Sequence, residues 1–190
     1  MLTEKDAALI IEIDGFESSM EDQISRLASV LKLSGASEII VSHSKEEQEN
    51  LWTARRASFG AAAKLSPDVV TNDMIVPRAN ISKLVNGINE ICEKYGLIVS
   101  IVGHIGDGNI HPQIALDLND DEQAKKYEMA KSEFYALTLE LGGTLSAEHG
   151  IGLEKKEFLA KAVSPVAIEY MKKMKQVFDP NNILNPDKIF

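Results

Sequence analysis

Apolar and polar positions along this chain alternate between two periods, one near 3.6 residues and one near two. Residues 7–13 (AALIIEI) are a short β-branched run closed by Asp14-Gly15, which predicts a strand ended by a turn. In residues 19–33, Ile24, Leu27, Ala28 and Leu31 recur at helical spacing, and Gly35 follows where a helix C-cap glycine stands. Residues 38–42 (EIIVS) predict a second strand, residues 45–64 a long helix carrying Trp52, and residues 68–77 a third strand with Pro77 at its exit. A strongly periodic helix over residues 80–95 (Ile81, Leu84, Val85, Ile88, Ile91, Cys92) stops at Gly96. A strand over 97–102 then runs through GHIGDG (residues 103–108) into another over 109–116. Residues 120–141 read as a long helix whose acidic start suits its positive end, with Gly142-Gly143 as its stop. A short strand at 144–146, a last helix at 165–178 and a tail rich in proline and asparagine complete the chain.

Helices and strands alternate, but the direct strand-to-strand step at 97–116 breaks a simple parallel ladder. It predicts an α+β fold with a largely antiparallel sheet, built from two successive ferredoxin-like units. No repeat, low-complexity segment or linker divides the chain, so residues 1–190 are read as one domain. The composition, 44% hydrophobic and 26% charged, is that of a chain able to bury a core without disulfides. The single cysteine, Cys92, excludes an internal disulfide framework and a Cys-rich zinc site, and reads as a buried apolar thiol. The first apolar run is too short for a signal peptide and no run approaches a membrane span, so a cytoplasmic protein is expected. The net charge of -9, with no basic cluster longer than a pair, excludes a nucleic-acid binder. It also means that an anionic substrate needs a local cation, either a bound metal or a buried arginine.

Three of the four histidines, His104, His111 and His149, lie in glycine-rich turns. His43 stands apart and reads as a surface or capping residue. A hairpin at Gly106-Asp107-Gly108 returns the chain beside itself and brings His104 and His111 together on neighbouring strands. Two neutral imidazoles suit a divalent metal such as zinc, manganese or iron, and Glu148 on the turn SAEHGIG offers a third ligand. The same segment read as a plain turn has Asp107 and Asn109 bonding local backbone instead. His149 follows Glu148 directly, so the two side chains point different ways. An imidazole there suits either proton transfer or a cap on local backbone. Arg55 and Arg56 share a helix with Trp52; one guanidinium suits a substrate carboxylate and the other a solvated surface. Lys155 and Lys156 follow the Glu148 turn, and Lys156 reads as solvated.

Three segments, GHIGDGNIHP (103–112), AEHGIGLEK (147–155) and FDPNNILNPDKIF (178–190), resemble the C-terminal, substrate-binding domain of FAD-linked oxidases in the vanillyl-alcohol oxidase/p-cresol methylhydroxylase superfamily. LWTARRASFGAAAKLSPDVVTNDMIVP (51–77) is similar to that family's segment leading to a D-x-x-V-P strand. The resemblance implies oxidation of a small 2-hydroxy acid, of glycolate or D-lactate type, with hydride transfer to FAD. It implies His104, His111 and Glu148 as ligands of a divalent metal, His149 as general base and Arg55 as the holder of the substrate carboxylate. Asn109 and Asn185 are implied on the cofactor side. Thr71 and Gln113 depart from the pattern of members that oxidise 2-hydroxyglutarate, which weakens a dicarboxylate substrate. The family's FAD-binding domain precedes this region and is missing from the sequence, so the chain is expected to be inactive without an FAD-binding domain or subunit. An electron-accepting subunit, a homodimer and a membrane contact made only through partners are further expectations. From the His104/His111/Glu148 set alone, the competing readings are a metal-dependent hydrolase and a non-catalytic subunit.

Overall fold

A computed structural model describes residues 7–190. The opening residues 1–6, part of the reading of the N-terminus, lie outside the described residues. The chain divides after Ser58 into two units.

The first unit carries α1 (Glu17–Leu33) and α2 (Lys45–Arg56). Gly35, at φ +91°, closes α1 while the Ala36 N–H reaches back to Leu31 O at 3.0 Å, the left-handed stop that its sequence predicts. Ser44 caps α2 by accepting from the Glu47 N–H, and the Glu47 carboxylate accepts from the His43 N–H. His43 is exposed, a member of that cap. The strands expected at 7–13 and 38–42 are not formed among the described residues. β-propensity is a fit to a paired, half-buried pleat rather than a property of the isolated backbone. Leu9, Ile10, Ile11 and Ile40 are instead exposed. The helix expected over 45–64 is also interrupted, ending at Arg56 and resuming as the short α3 (Ser58–Ala62). Ser58 and Gly60, both weak helix formers, lie just past the break.

The second unit holds the sheet. β1 (Asp68–Thr71) and β2 (Met74–Ile75) pair antiparallel with one side of β4 (Asn109–Leu116), and β3 (Ile98–His104) pairs antiparallel with the other. β1 and β2 keep one register along β4, from Asp68 opposite Leu116 to Ile75 opposite Asn109. The strand expected over 68–77 is therefore one ladder with a gap, and the gap falls opposite Pro112, which has no N–H to donate. The Pro112 carbonyl still accepts from the Asn72 N–H at 3.0 Å. Thr144 bridges Ile75 on the outer side, which is all that forms of the short strand expected at 144–146.

α4 (Ile81–Tyr95) joins β2 to β3, and α5 (Asp121–Glu140) follows β4. The order β-α-β-β-α-β, with the outermost strand reduced to a bridge, is a ferredoxin-like unit, as the direct β3–β4 step predicts. Met74, Ile110, Ile114 and Leu116 from the sheet pack with Leu84, Ile88 and Cys92 of α4 and with Ala130 and Phe134 of α5. Successive strand residues point to opposite faces. The other face of β4 is therefore lined by Asn109, His111 and Gln113, all buried and all polar. A face of that composition is a poor core and a good site. α6 (Leu159–Ala162) and α7 (Pro165–Phe178) close the unit, with Ser164 capping α7 and Pro165 in its first turn. Among the described residues, no helix is long and apolar enough to cross a membrane.

Candidate active site

The polar face of the sheet meets the turn 146–150 at a cluster of imidazoles and carboxylates. His104 ends β3 directly opposite Asn109, and His111 stands two residues into β4. Their rings lie edge to face, with centroids 5.5 Å apart. The hairpin that joins them turns at Gly108, which takes φ +80°. The turn delivers Glu148 Oε1 to 3.0 Å from His111 Nε2 and 3.8 Å from His149 Nε2. The His149 ring stacks on His111 with centroids 5.2 Å apart and planes 14° apart. The expected ligand set, His104, His111 and Glu148, presents donor atoms all within 4.8 Å of one another, and so does the set Asp73, His111 and His149. His111 is buried, whereas Glu148 and His149 are about half exposed and open one side of the cluster.

Burial holds the His111 imidazole below its ordinary value, against the pull of Asp73 and Glu148. It is therefore neutral at neutral pH, the form that ligates a metal. Burial alone would raise the Asp73 carboxyl, but the Ser146 hydroxyl, the His149 N–H, the Lys155 ammonium and the Glu148 N–H together hold it well below the carboxylate range. Lys155 is itself pulled down by burial, with Asp73 opposing.

Asp73 and Lys155 are the main participants that sequence reasoning left without a role. Asp73 is fully buried and its Oδ2 accepts from Ser146 Oγ at 2.6 Å. A charged residue between the apolar pairs Val69-Val70 and Met74-Ile75 is the signal that could have singled it out. Lys155, 2% exposed, donates to the Asp73 carbonyl at 3.0 Å. Lys156, read as solvated, instead reaches the C-terminal tail, donating to the carbonyls of Asp187 and Phe190.

Five side-chain atoms on this face, Thr71 Oγ1, Asp73 Oδ1, Asn109 Oδ1, His111 Nδ1 and Gln113 Oε1, are buried with no hydrogen-bond partner among the described residues. They fall in cross-strand rows, Thr71 opposite Gln113 and Asp73 in register with His111, with Asn109 at the hairpin end. A buried unsatisfied group costs about 1–3 kcal/mol, so these five are positions that a ligand or bound water would satisfy. Two imidazoles, one of them held neutral, and a carboxylate also form a donor set that fits a divalent metal with open positions.

Arg55 and Asn185 stand on other elements of the chain. Arg55 is half-buried in the last turn of α2, in the first unit. Its neighbour Arg56 is exposed and pairs with Glu49 of the same helix, the solvated member of the two. Asn185, at φ +47°, stands in the C-terminal tail, where it lines a shallow cavity with Phe178, Leu184 and Ile189.

Comparison with known proteins places these residues in a family. Residues 1–189 match the model for FAD linked oxidases, C-terminal domain. The chain is 36% identical over 188 residues to the glycolate oxidase subunit GlcD of Bacillus subtilis (strain 168), covering 99% of this chain and 40% of that protein. It is 33% identical over 183 residues to the GlcD subunit of Escherichia coli (strain K12), covering 96% of this chain and 37% of that protein. It is 33% identical over 189 residues to a D-lactate dehydrogenase of Anaerostipes hadrus, covering 98% of this chain and 40% of that protein. The chain thus spans about two fifths of the length of these relatives. With an antiparallel α+β unit and a match over its whole length, this chain belongs to the family of FAD-linked oxidase C-terminal domains.

Proposed function

We propose that this chain forms the substrate side of the active site of an FAD-dependent oxidoreductase acting on a small 2-hydroxy acid, of glycolate or D-lactate type. The observation that carries this reading is the convergence of His104, His111 and Glu148 within 4.8 Å, with His149 stacked on His111, in a chain of the FAD-linked oxidase family. His104, His111 and Glu148 would hold a divalent metal, which supplies a Lewis acid for the substrate's hydroxyl and carboxylate oxygens. That positive charge would also offset the chain's net -9 for an anionic substrate.

His149 takes the hydroxyl proton at an imidazole nitrogen. It stands on the open side of the cluster, and its stacking on His111 restrains the ring. Arg55 is the proposed partner of the substrate carboxylate, by a bidentate pair that lysine cannot match. Asn109 and Asn185 are the proposed contacts on the cofactor side. The flavin, carried by an N-terminal domain or a partner subunit, supplies the hydride acceptor. Further partners in this reading are an electron-accepting subunit and a second copy of the chain, in a cytoplasmic assembly that reaches a membrane only through such partners.

The test uses the flavoprotein that contains this chain, loaded with FAD and assayed by dye reduction with glycolate and D-lactate. His149→Ala is expected to lower kcat by about 10²–10⁴-fold while substrate still binds, because a positioned base contributes on that scale. Undiminished turnover in His149→Ala, or no flavin reduction by either acid, refutes the proposal.

A further inference from the structure

We propose that Asp73 is a positioning residue whose one carboxylate both holds the Glu148–His149 turn and faces His111, and so sets the geometry between them. The proposal rests on the reading of this cluster as a metal and proton-transfer site, and deepens it.

Asp73 lies in the gap between β1 and β2, in the register position opposite His111 on β4. Its Oδ2 accepts from three successive backbone N–H groups, those of Ala147 at 3.0 Å, Glu148 at 3.2 Å and His149 at 2.9 Å. The same oxygen receives Ser146 Oγ at 2.6 Å and Lys155 Nζ at 3.3 Å. Three consecutive amides aimed at one point curl the backbone around it. The directions in which the Glu148 and His149 side chains leave are thereby set. Ser146 Oγ closes the same turn by accepting from the Gly150 N–H at 2.7 Å.

Asp73 Oδ1 has no hydrogen-bond partner among the described residues and lies 3.9 Å from His111 Nδ1. That is too long for a hydrogen bond, so the carboxylate faces the imidazole from its Nδ1 side without bonding to it, while Glu148 Oε1 stands 3.0 Å from Nε2 on the other side. A carboxylate behind a ligating imidazole orients the ring and strengthens it as a donor. Here the carboxylate that faces the imidazole also anchors the loop carrying the next ligand and the base. One side chain therefore couples elements more than seventy residues apart in sequence.

Nitrogen-15 NMR of the histidine side chains and of the Ala147–His149 amides reads this arrangement without metal, and titration calorimetry with Zn²⁺ alone reads it as affinity. The variant is Asp73→Asn combined with Lys155→Met, which removes the carboxylate without leaving a buried unpaired ammonium. It is expected to fold, to shift the three turn amides and the His111 ring nitrogens, and to bind Zn²⁺ about 10–100-fold more weakly. Asp73→Glu keeps the charge and the ion pair but lengthens the arm, and is expected to move the same amides and weaken Zn²⁺ binding. Folded variants with wild-type turn amides and unchanged Zn²⁺ affinity would overturn the proposal. If the wild-type chain binds no Zn²⁺, the metal reading fails by itself, and the amide and imidazole signals still decide the role of Asp73.

Discussion

Gly106 and Gly108 flank Asp107 in one hairpin, and replacing each by alanine separates what one side chain does at two neighbouring positions. Gly108 has φ +80°, and a Cβ built there lies 2.1 Å from the Val76 carbonyl oxygen. A left-handed conformation costs a residue with a Cβ about 1–2 kcal/mol. Relieving the overlap requires about 1 Å of backbone movement, and overpacking of this kind typically costs about 1–3 kcal/mol. The displaced segment is also bonded to the hairpin, since the Val76 N–H donates to Gly108 O at 3.1 Å. Gly108→Ala is therefore expected to destabilise the chain by about 2–5 kcal/mol, or about 4–20 °C in Tm for a chain of this size. Among the described residues Gly106 has no heavy atom within 4 Å of an added Cβ, and it is outside the left-handed region, so Gly106→Ala stays within about 1 kcal/mol of wild type. The assay is urea unfolding followed by far-ultraviolet circular dichroism, with thermal melts alongside. Equal effects at the two positions, or a Gly108→Ala melt within the error of wild type, would refute the reasoning. The hairpin joins His104 to His111, so Gly108→Ala should also weaken any metal bound there, while Gly106→Ala should not.

Cys92 is buried in the core and its thiol is pushed up to about 11 by that burial. A chromogenic thiol reagent at mildly alkaline pH should react with it only as fast as the chain opens, and prompt reaction of the native protein would contradict the packing. Stability should fall with pH in two stages. His111 is depressed below its ordinary 6.5, so the folded state binds fewer protons than the unfolded one as pH falls through that value, and stability declines there. Asp73 is depressed below 3.8, so its contribution is intact above that value and is lost as the pH falls further, toward its folded-state value. Urea midpoints measured across this range should lose the upper stage in His111→Gln and the lower stage in Asp73→Asn. A wild-type midpoint that is flat from neutral to acid would contradict both assignments.

The second unit was legible in the sequence because its local signals agree with one another. The 3.6 period of residues 80–95 and the direct β3–β4 step predict the unit, and Gly96 and Gly142 end its two long helices with positive φ. The closeness of His104 and His111 was legible too, because a short glycine-rich hairpin leaves them little choice but to be neighbours. The expected strands at 7–13 and 38–42 failed for the opposite reason. An apolar β-branched run states a preference for extended chain, but a strand exists only where another strand pairs with it.

The sequence by itself determined the helix stops, the hairpin and the residue types that could do chemistry, since these depend on neighbours within a few positions. Only the tertiary structure decided which of them meet. It brought Glu148 to 3.0 Å from His111, turned Asn109, His111 and Gln113 to the face away from the core, and buried Lys155 beside Asp73. The role of Asp73 is the clearest case. A carboxylate in a strand has no local reason to accept three amides from a turn more than seventy residues later. What selects it is the cost of leaving a buried charge unpaired, and that cost exists only once the chain has closed around it.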